Sequence, residues 1–385
     1  MNNTDIKLVM EMMALPGPSG GEGKIADFIR NRLERAGADM STVASDQAHR
    51  RSHLRGETGN LVFRLPGTIR GARRLLVAHM DTVPICVGSR PVREGNTIRS
   101  TDPATGLGAD DRAGAAILLR TAIGLIRKRP AHPPVTFLWT VQEEVGLQGA
   151  HYLRLGLLGR PRLAFNFDGG APEKLTIGAT GGYRMEIGIE GIASHAGGAP
   201  EWGVSAISIA ARAIARLDEE GWHGLVVRGR STGTSNVGVI AGGKATNVVP
   251  DQVVLKAEAR SHDPRFRAKI VRAIEKAFRD AARRCTNCEG RRGRVSFDGQ
   301  IDYEAFQLSP DDPSLLEAES ALRSEGLEPI RAIANGGLDA NWLTARGIPT
   351  VSLGCGQGNI HTTDETLDVE AFATACRVAE RLACG

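Results

Sequence analysis

Leu75-Leu76-Val77-Ala78-His79-Met80-Asp81-Thr82-Val83-Pro84 runs four apolar residues straight into a histidine, an aspartate and a closing proline. A short continuous apolar run bounded by turn residues reads as a strand buried on both faces. Strands of that kind belong to parallel sheets covered by helices. The pattern recurs downstream. Val135 to Val141 leads to Glu143 and Glu144 in Thr140-Val141-Gln142-Glu143-Glu144-Val145-Gly146. Leu163 to Phe167 leads to Asp168, and Thr350 to Leu353 leads into the Gly-rich segment Gly354 to Glu365, which holds His361. Asp110 stands in Gly106-Leu107-Gly108-Ala109-Asp110-Asp111-Arg112-Ala113-Gly114, ahead of a helical stretch over Arg112 to Lys128.

These segments set the architecture. Asn60 to Leu65, Arg74 to Ala78, Val135 to Val141, Leu163 to Phe167 and Thr350 to Leu353 read as strands. Helical stretches lie between them, and Gly114, Ala115 and Ala116 suit close packing on a sheet. The expected fold class is α/β, with a doubly wound, mostly parallel sheet. Open sheets of this kind place their ligand crevice along the carboxyl ends of the strands, where residues distant in sequence converge. Asp5 to Ala36 reads as two helices broken at Pro16-Gly17-Pro18-Ser19-Gly20-Gly21.

From Gly181 to about Tyr303 the pattern changes. Strands are read at Tyr183 to Glu190, Ser235 to Ile240, Val253 to Arg260 and Val295 to Tyr303, and helices at Val204 to Leu217 and Phe266 to Arg283. That β-α-β-β-α-β order is the ferredoxin-like α+β arrangement. Asp168 precedes it and His361 follows it, so the segment reads as an insertion. The expected division is 1–180 and 305–385 for a catalytic domain and 181–304 for the inserted domain.

Composition narrows the function. At 385 residues the chain exceeds one ordinary core. A net charge of +4 is mild, and the basic clusters Arg50-Arg51-Ser52-His53-Leu54-Arg55 and Arg291-Arg292-Gly293-Arg294 lack interleaved aromatics, which argues against nucleic acid. No run approaches membrane-spanning length, and Leu8 to Leu15 is interrupted by Glu11 without a basic leader. Six dispersed cysteines suggest reduced thiols and a cytoplasmic protein, and Cys285 and Cys288 have no second ligand pair nearby.

His79, Asp110, Glu144, Asp168 and His361 are the candidate metal ligands. Imidazole and carboxylate donors suit zinc, cobalt or manganese, and the lack of a Cys ligand argues against a closed structural zinc site. Five ligands serve two cations only if one is shared. With Asp110 shared, one cation has His79 and Asp168, and the other has Glu144 and His361. Spacing alone does not decide between Asp110 and Asp111. Three carboxylates against two divalent cations leave one positive charge, which a hydroxide neutralises. Glu143 is the acid left over, placed to act as general base on water and then as proton donor to a leaving amine. Asp81 is placed to accept the His79 ring N–H and fix its tautomer.

Together, His79-Met80-Asp81-Thr82-Val83-Pro84, Gly108 to Gly114, Glu143-Glu144-Val145-Gly146 and Asp168 resemble the co-catalytic dinuclear zinc exopeptidases. That superfamily includes peptidase T, the glutamate carboxypeptidases, the aminoacylases and succinyl-diaminopimelate desuccinylase. The resemblance covers nearly the whole chain. It implies that Asp110 bridges the metals, that Glu143 is the base and that the insertion is a lid and dimerisation domain. Ser194-His195-Ala196-Gly197 resembles the family's lid motif, which implies that His195 reaches the partner's active site and stabilises the oxyanion. Asn247, in Thr246-Asn247-Val248-Val249-Pro250, and Arg260 resemble family substrate contacts, with Arg suited to a peptide carboxylate. Gly337, in Asn335-Gly336-Gly337-Leu338-Asp339, resembles a substrate-side loop. Arg112 stands where the family usually has Lys.

The wording is most similar to the peptidase T-like tripeptidases. The expected activity is metallopeptidase cleavage of the amino-terminal residue from short peptides, tripeptides foremost, in a homodimer. An N-acyl-amino-acid amidohydrolase or a carboxypeptidase with the same centre is the alternative. A non-catalytic metal-dependent peptide-binding protein is the alternative from another class.

Overall fold

The computed structural model describes residues 3–385, which form two compact units, 3–179 with Phe306–Gly385, and Thr180–Ala305. In the first unit a nine-stranded sheet forms the centre. Arg74–His79 lies parallel between Val135–Thr140 and Leu163–Phe167, and Val351–Leu353 extends the sheet parallel to Leu163–Phe167. The flanks are antiparallel: Leu61–Leu65 on Val135–Thr140, Val43–Ser45 on Leu61–Leu65, and Lys174–Ala179 on Val351–Leu353. The parallel character expected of the sheet thus holds at its centre, where the site residues emerge.

Arg74–His79 and Val135–Thr140 are buried along their whole length. Successive side chains alternate between two cores, as strand geometry requires. Leu76, Ala78, Phe137, Trp139, Phe165 and Phe167 join the larger core, under helices Asn3–Met13, Gly23–Ala36, Ala109–Lys128, Pro313–Ser324 and Val369–Cys384. Leu75, Val77, Leu138 and Ala164 face the smaller core, closed by Leu153, Leu158 and Leu343. Both faces are covered, so hydrophobic runs replace alternation. Among the described residues no helix is long and apolar enough to cross a membrane.

The second unit is a five-stranded antiparallel sheet in the order Gly224–Arg228, Ser231–Gly242, Gln252–Ser261, Gly181–Glu190, Arg294–Tyr303. Helices Ala206–Glu219 and Pro264–Arg284 bury Ile209, Ala213, Leu217, Phe266, Ile270, Ile274 and Phe278 at helical spacing against Ile187, Ile189, Val253 and Leu255. Four of the strands have the ferredoxin-like order. Gly224–Arg228 is an addition to the expected β-α-β-β-α-β series: it pairs with Ser231–Thr234 and beyond through a two-residue turn. Gly229 has φ +60° there while Arg230 does not have positive φ, the pattern of a type II′ hairpin turn. This edge strand is mostly exposed, with Leu225 69 % accessible, so no buried periodicity announces it.

A third, four-stranded sheet in the first unit orders Gln357–Gly358, Thr366–Asp368, Thr97–Ser100 and Pro91–Glu94. It carries the segment that contains His361.

Candidate metal centre

His79 closes its strand with only 2 % of its surface accessible. Its Nδ1 lies 3.1 Å from the Asp81 backbone oxygen and 3.5 Å from Asp81 Oδ1, and its Nε2 lies 3.1 Å from Asp110 Oδ1. The other Asp110 oxygen, Oδ2, lies 3.1 Å from His361 Nε2. His361 Nε2 is also 3.0 Å from Glu144 Oε2. Donor atoms of His79, Asp110 and Glu144 lie within 4.8 Å of one another, as do those of His79, Asp111 and Asp168. The structure therefore gathers His79, Asp110, Glu144, Asp168 and His361 at the carboxyl end of the sheet, with Asp110 between the two imidazoles.

Geometry alone admits Asp111 beside Asp110, but their partners separate them. Asp111 Oδ1 accepts the Gly114 N–H at 2.9 Å and Gln357 Nε2 at 2.8 Å, and Oδ2 accepts the His79 N–H at 3.2 Å. Three N–H donors thus occupy its two oxygens and hold the turn together. Asp110 offers its two oxygens to imidazoles. Both residues have non-helical φ/ψ, the peptide between them is cis, and the regular helix begins after them.

The electrostatics follow from burial and crowding. Burial, with Asp110 among its neighbours, pushes the Asp168 carboxyl up to about 7. Burial likewise raises Glu143 far above the carboxylate range, reinforced by Asp168, Glu144 and Asp339. Glu144 is raised for the same first reason, although His361 opposes the shift. Hydrogen bonds to Asp110 and Glu144 raise the His361 imidazole to about 10. Burial works against a charged His79, but bonds to Asp110 and Asp81 outweigh it and hold that ring well above its ordinary value. Asp110 is buried yet held low by His361 and His79. Buried carboxylates with one buried and one exposed imidazole, His79 and His361, fit divalent cations, whose charge favours ionised acids and neutral imidazoles.

Residues 75–384 match the model of peptidase family M20/M25/M40. The chain belongs to that family. It is 31 % identical to the uncharacterized protein YqjE of Bacillus subtilis over 94 % of this chain and 92 % of that one. The crystal structure of a tripeptidase from Staphylococcus aureus is similar with a TM-score of 0.87 and 30 % identity, covering 98 % of this chain and 96 % of that one. The crystal structure of the aminopeptidase PepT from Bacillus cereus is similar with a TM-score of 0.84 and 31 % identity, covering 98 % and 97 %.

Several contacts around the centre of this M20 family member escape a reading by spacing. Asp81, fully buried, accepts the backbone N–H of Glu143 at 2.9 Å and of Glu144 at 3.2 Å, and the Ser19 hydroxyl at 2.7 Å. It is thus tied to the Glu143–Glu144 turn as well as to His79. The buried guanidinium of Arg112 donates, at 3.4 and 3.5 Å, to the carbonyls of Leu15 and Gly17, in the loop that delivers Ser19. An added Cβ at Gly17 would lie 2.4 Å from Arg112 Nη2, so a larger residue there would require the guanidinium to shift. Thr140 donates its hydroxyl to the buried Asp339, whose carboxyl burial raises to about 6. Gly337 lies just before it, between strand Ile330–Ala334 and helix Ala340–Ala345.

His195, Asn247 and Arg260 belong to the Thr180–Ala305 unit. The exposed His195 ring accepts the Gly198 N–H at 2.8 Å and the Gly197 N–H at 3.2 Å on Nδ1. With Nδ1 accepting, Nε2 is the ring nitrogen left to donate. The Ala196 N–H donates to the Asn247 carbonyl at 2.9 Å, so these two motifs lie side by side. Arg260 has an acidic partner on its own strand. Its fork is already held by Glu258, with Nε to Oε1 at 2.9 Å and Nη2 to Oε2 at 3.0 Å.

Proposed function

We propose that this metallopeptidase removes the amino-terminal residue from short peptides, tripeptides foremost, using two divalent cations, zinc or otherwise cobalt or manganese. The observation that carries the proposal is the placement of Asp110, one oxygen toward each imidazole, with Glu144 grouped with it and His79, and Asp168 grouped with His79 and the adjoining Asp111. His79, Asp168 and Asp110 would hold one cation, and Glu144, His361 and Asp110 the other. Bound there, the cations supply Lewis-acid polarisation of the amide carbonyl and make a water more acidic.

The chain supplies the rest. Glu143, buried and held at the edge of the cluster by its backbone bond to Asp81, takes the proton from the attacking water and delivers it to the leaving amine. Asp81 keeps the His79 proton on Nδ1, so that Nε2 faces the cluster. His195, with Nε2 left to donate, serves the developing oxyanion in the partner subunit's active site. The inserted unit acts as lid and dimerisation domain of a homodimer, and Asn247, Gly337 and Arg260 line the substrate. Similarity to a tripeptidase and an aminopeptidase at 30 % and 31 % identity supports the amino-terminal polarity.

A panel of free, N-acetylated and C-amidated di- and tripeptides, assayed on zinc-loaded protein with products identified by mass, tests this reading. Release of the first residue only from peptides with a free amine supports it. Equal cleavage of N-acetylated peptides assigns an amidohydrolase or carboxypeptidase instead. Binding without cleavage would make the protein a peptide receptor.

A further inference from the structure

We propose that Glu365 is a positioning residue for Asp110, and that through it the loop at 357–366 governs both cation positions at once. The inference rests on the dinuclear reading above. The loop is closed by the short antiparallel pair Gln357–Gly358 with Thr366–Asp368. Three of its side chains, four residues apart, reach the 108–111 turn. Gln357 Nε2 donates to the Ala109 carbonyl at 3.3 Å and to Asp111 Oδ1 at 2.8 Å. His361 Nε2 meets Asp110 Oδ2 at 3.1 Å. Glu365 Oε1 accepts the Asp110 N–H at 2.9 Å, while Oε2 accepts the Gly108 N–H at 2.6 Å and the Cys86 thiol at 3.3 Å.

Glu365 is 1 % accessible, and among the described residues no Lys, Arg or His nitrogen ion-pairs with it. A buried carboxylate is costly unless its oxygens are satisfied. Here two backbone N–H groups and a thiol satisfy both, and one of those N–H groups belongs to the shared ligand itself. The enclosure leaves no slack. A Cβ at Gly106 would lie 3.1 Å from Glu365 Oε2, 2.9 Å from Cys86 Sγ and 2.9 Å from the Thr362 carbonyl. Gly108 presents its N–H from φ +80°, a conformation that favours glycine. The loop that contributes one ligand, His361, thereby also sets where the common ligand stands. Displacing Asp110 disturbs both cations, whereas displacing Glu144 or Asp168 disturbs one.

The test is calorimetric zinc titration of the metal-free protein, with kinetics on a free tripeptide, for wild type, Glu365→Gln, Glu365→Asp and Asp364→Ala. Wild type is expected to bind two ions. Glu365→Gln, nearly isosteric but with an N–H turned toward N–H donors, is expected to weaken both ions at least about tenfold, the usual scale for losing a residue that orients a ligand. Its kcat falls while KM stays within about twofold of wild type. Glu365→Asp, which keeps the charge, falls between; it decides the matter if the Gln variant does not fold. Asp364→Ala, an exposed neighbour on the same loop, binds and turns over as wild type does. A folded Glu365→Gln or Glu365→Asp with both affinities within about twofold of wild type overturns the proposal alone. Wild type binding fewer than two ions overturns the dinuclear reading and this proposal with it.

Discussion

The Asp81 carboxylate accepts the backbone N–H of Glu143 at 2.9 Å while lying 3.5 Å from the His79 ring. One buried acid thus connects a candidate ligand on one strand with the candidate base after the neighbouring strand. Asp81→Asn keeps the shape but turns an N–H toward groups that are themselves donors. We expect metal affinity or kcat to drop about 10- to 100-fold, with KM little changed. Steady-state kinetics beside metal content by mass spectrometry would check this, and a kcat within threefold of wild type would count against the linkage.

Glu143 is assigned to proton transfer and not to holding metal. Glu143→Ala should therefore retain two cations and lose turnover by about 10²- to 10⁴-fold, the range for a removed general base. Glu144→Ala should instead lose one cation, because its carboxylate lies 3.0 Å from the His361 nitrogen that would share it. The two variants, one residue apart, separate the roles. If Glu143→Ala bound a single cation, the assignment would have to be exchanged.

Metal loading should release protons. Without metal, the Asp110 and Glu144 bonds raise His361 to about 10, and burial holds Asp168 near 7. At pH 7 His361 is then protonated and Asp168 partly so, and His79 is raised as well. Cations bind neutral imidazole and ionised carboxylate, so binding expels these protons and affinity declines as pH falls. Titrations in buffers of different ionisation enthalpy should give more than one proton released per pair of ions at pH 7. A release of zero would contradict the electrostatics described here.

The parts visible from residue order are those whose cause is local. Arg74–His79 and Val135–Thr140 announce themselves because both faces are buried, and each donor after them inherits its place from the strand. The hairpin Pro91–Glu94 with Thr97–Ser100 does not, since only Ile98 in it is fully buried. The difference in partners between Asp110 and Asp111 is also non-local: Gln357, some 250 residues away, occupies an Asp111 oxygen. Ser19 on Asp81 and Glu365 on the Asp110 N–H are equally non-local, and no spacing rule reaches them. For Arg260 the residue type is informative, but it does not announce the pairing with Glu258, two residues earlier on the strand.

Gly114 joins fold and site. It lies on the helix that follows the Asp pair, where an added Cβ would stand 2.0 Å from the Phe167 carbonyl and 2.5 Å from Asp111 Oδ1. Glycine in a helix costs about 1 kcal/mol relative to alanine, so propensity alone favours Gly114→Ala. Steric cost should win, because one obstacle is backbone and cannot swing aside; overpacking of this kind costs about 1–3 kcal/mol. The shift also pushes on Asp111, which accepts the Gly114 N–H at 2.9 Å, and on the strand end that leads to Asp168. We therefore expect the metal-free protein to unfold at lower denaturant with an unchanged m-value, and zinc affinity to weaken together with stability. Chemical denaturation and zinc titration of the same preparation measure both. A Gly114→Ala protein as stable as wild type would show that the helix can draw back from the strand, and that its close approach is not what sets the Asp pair in place.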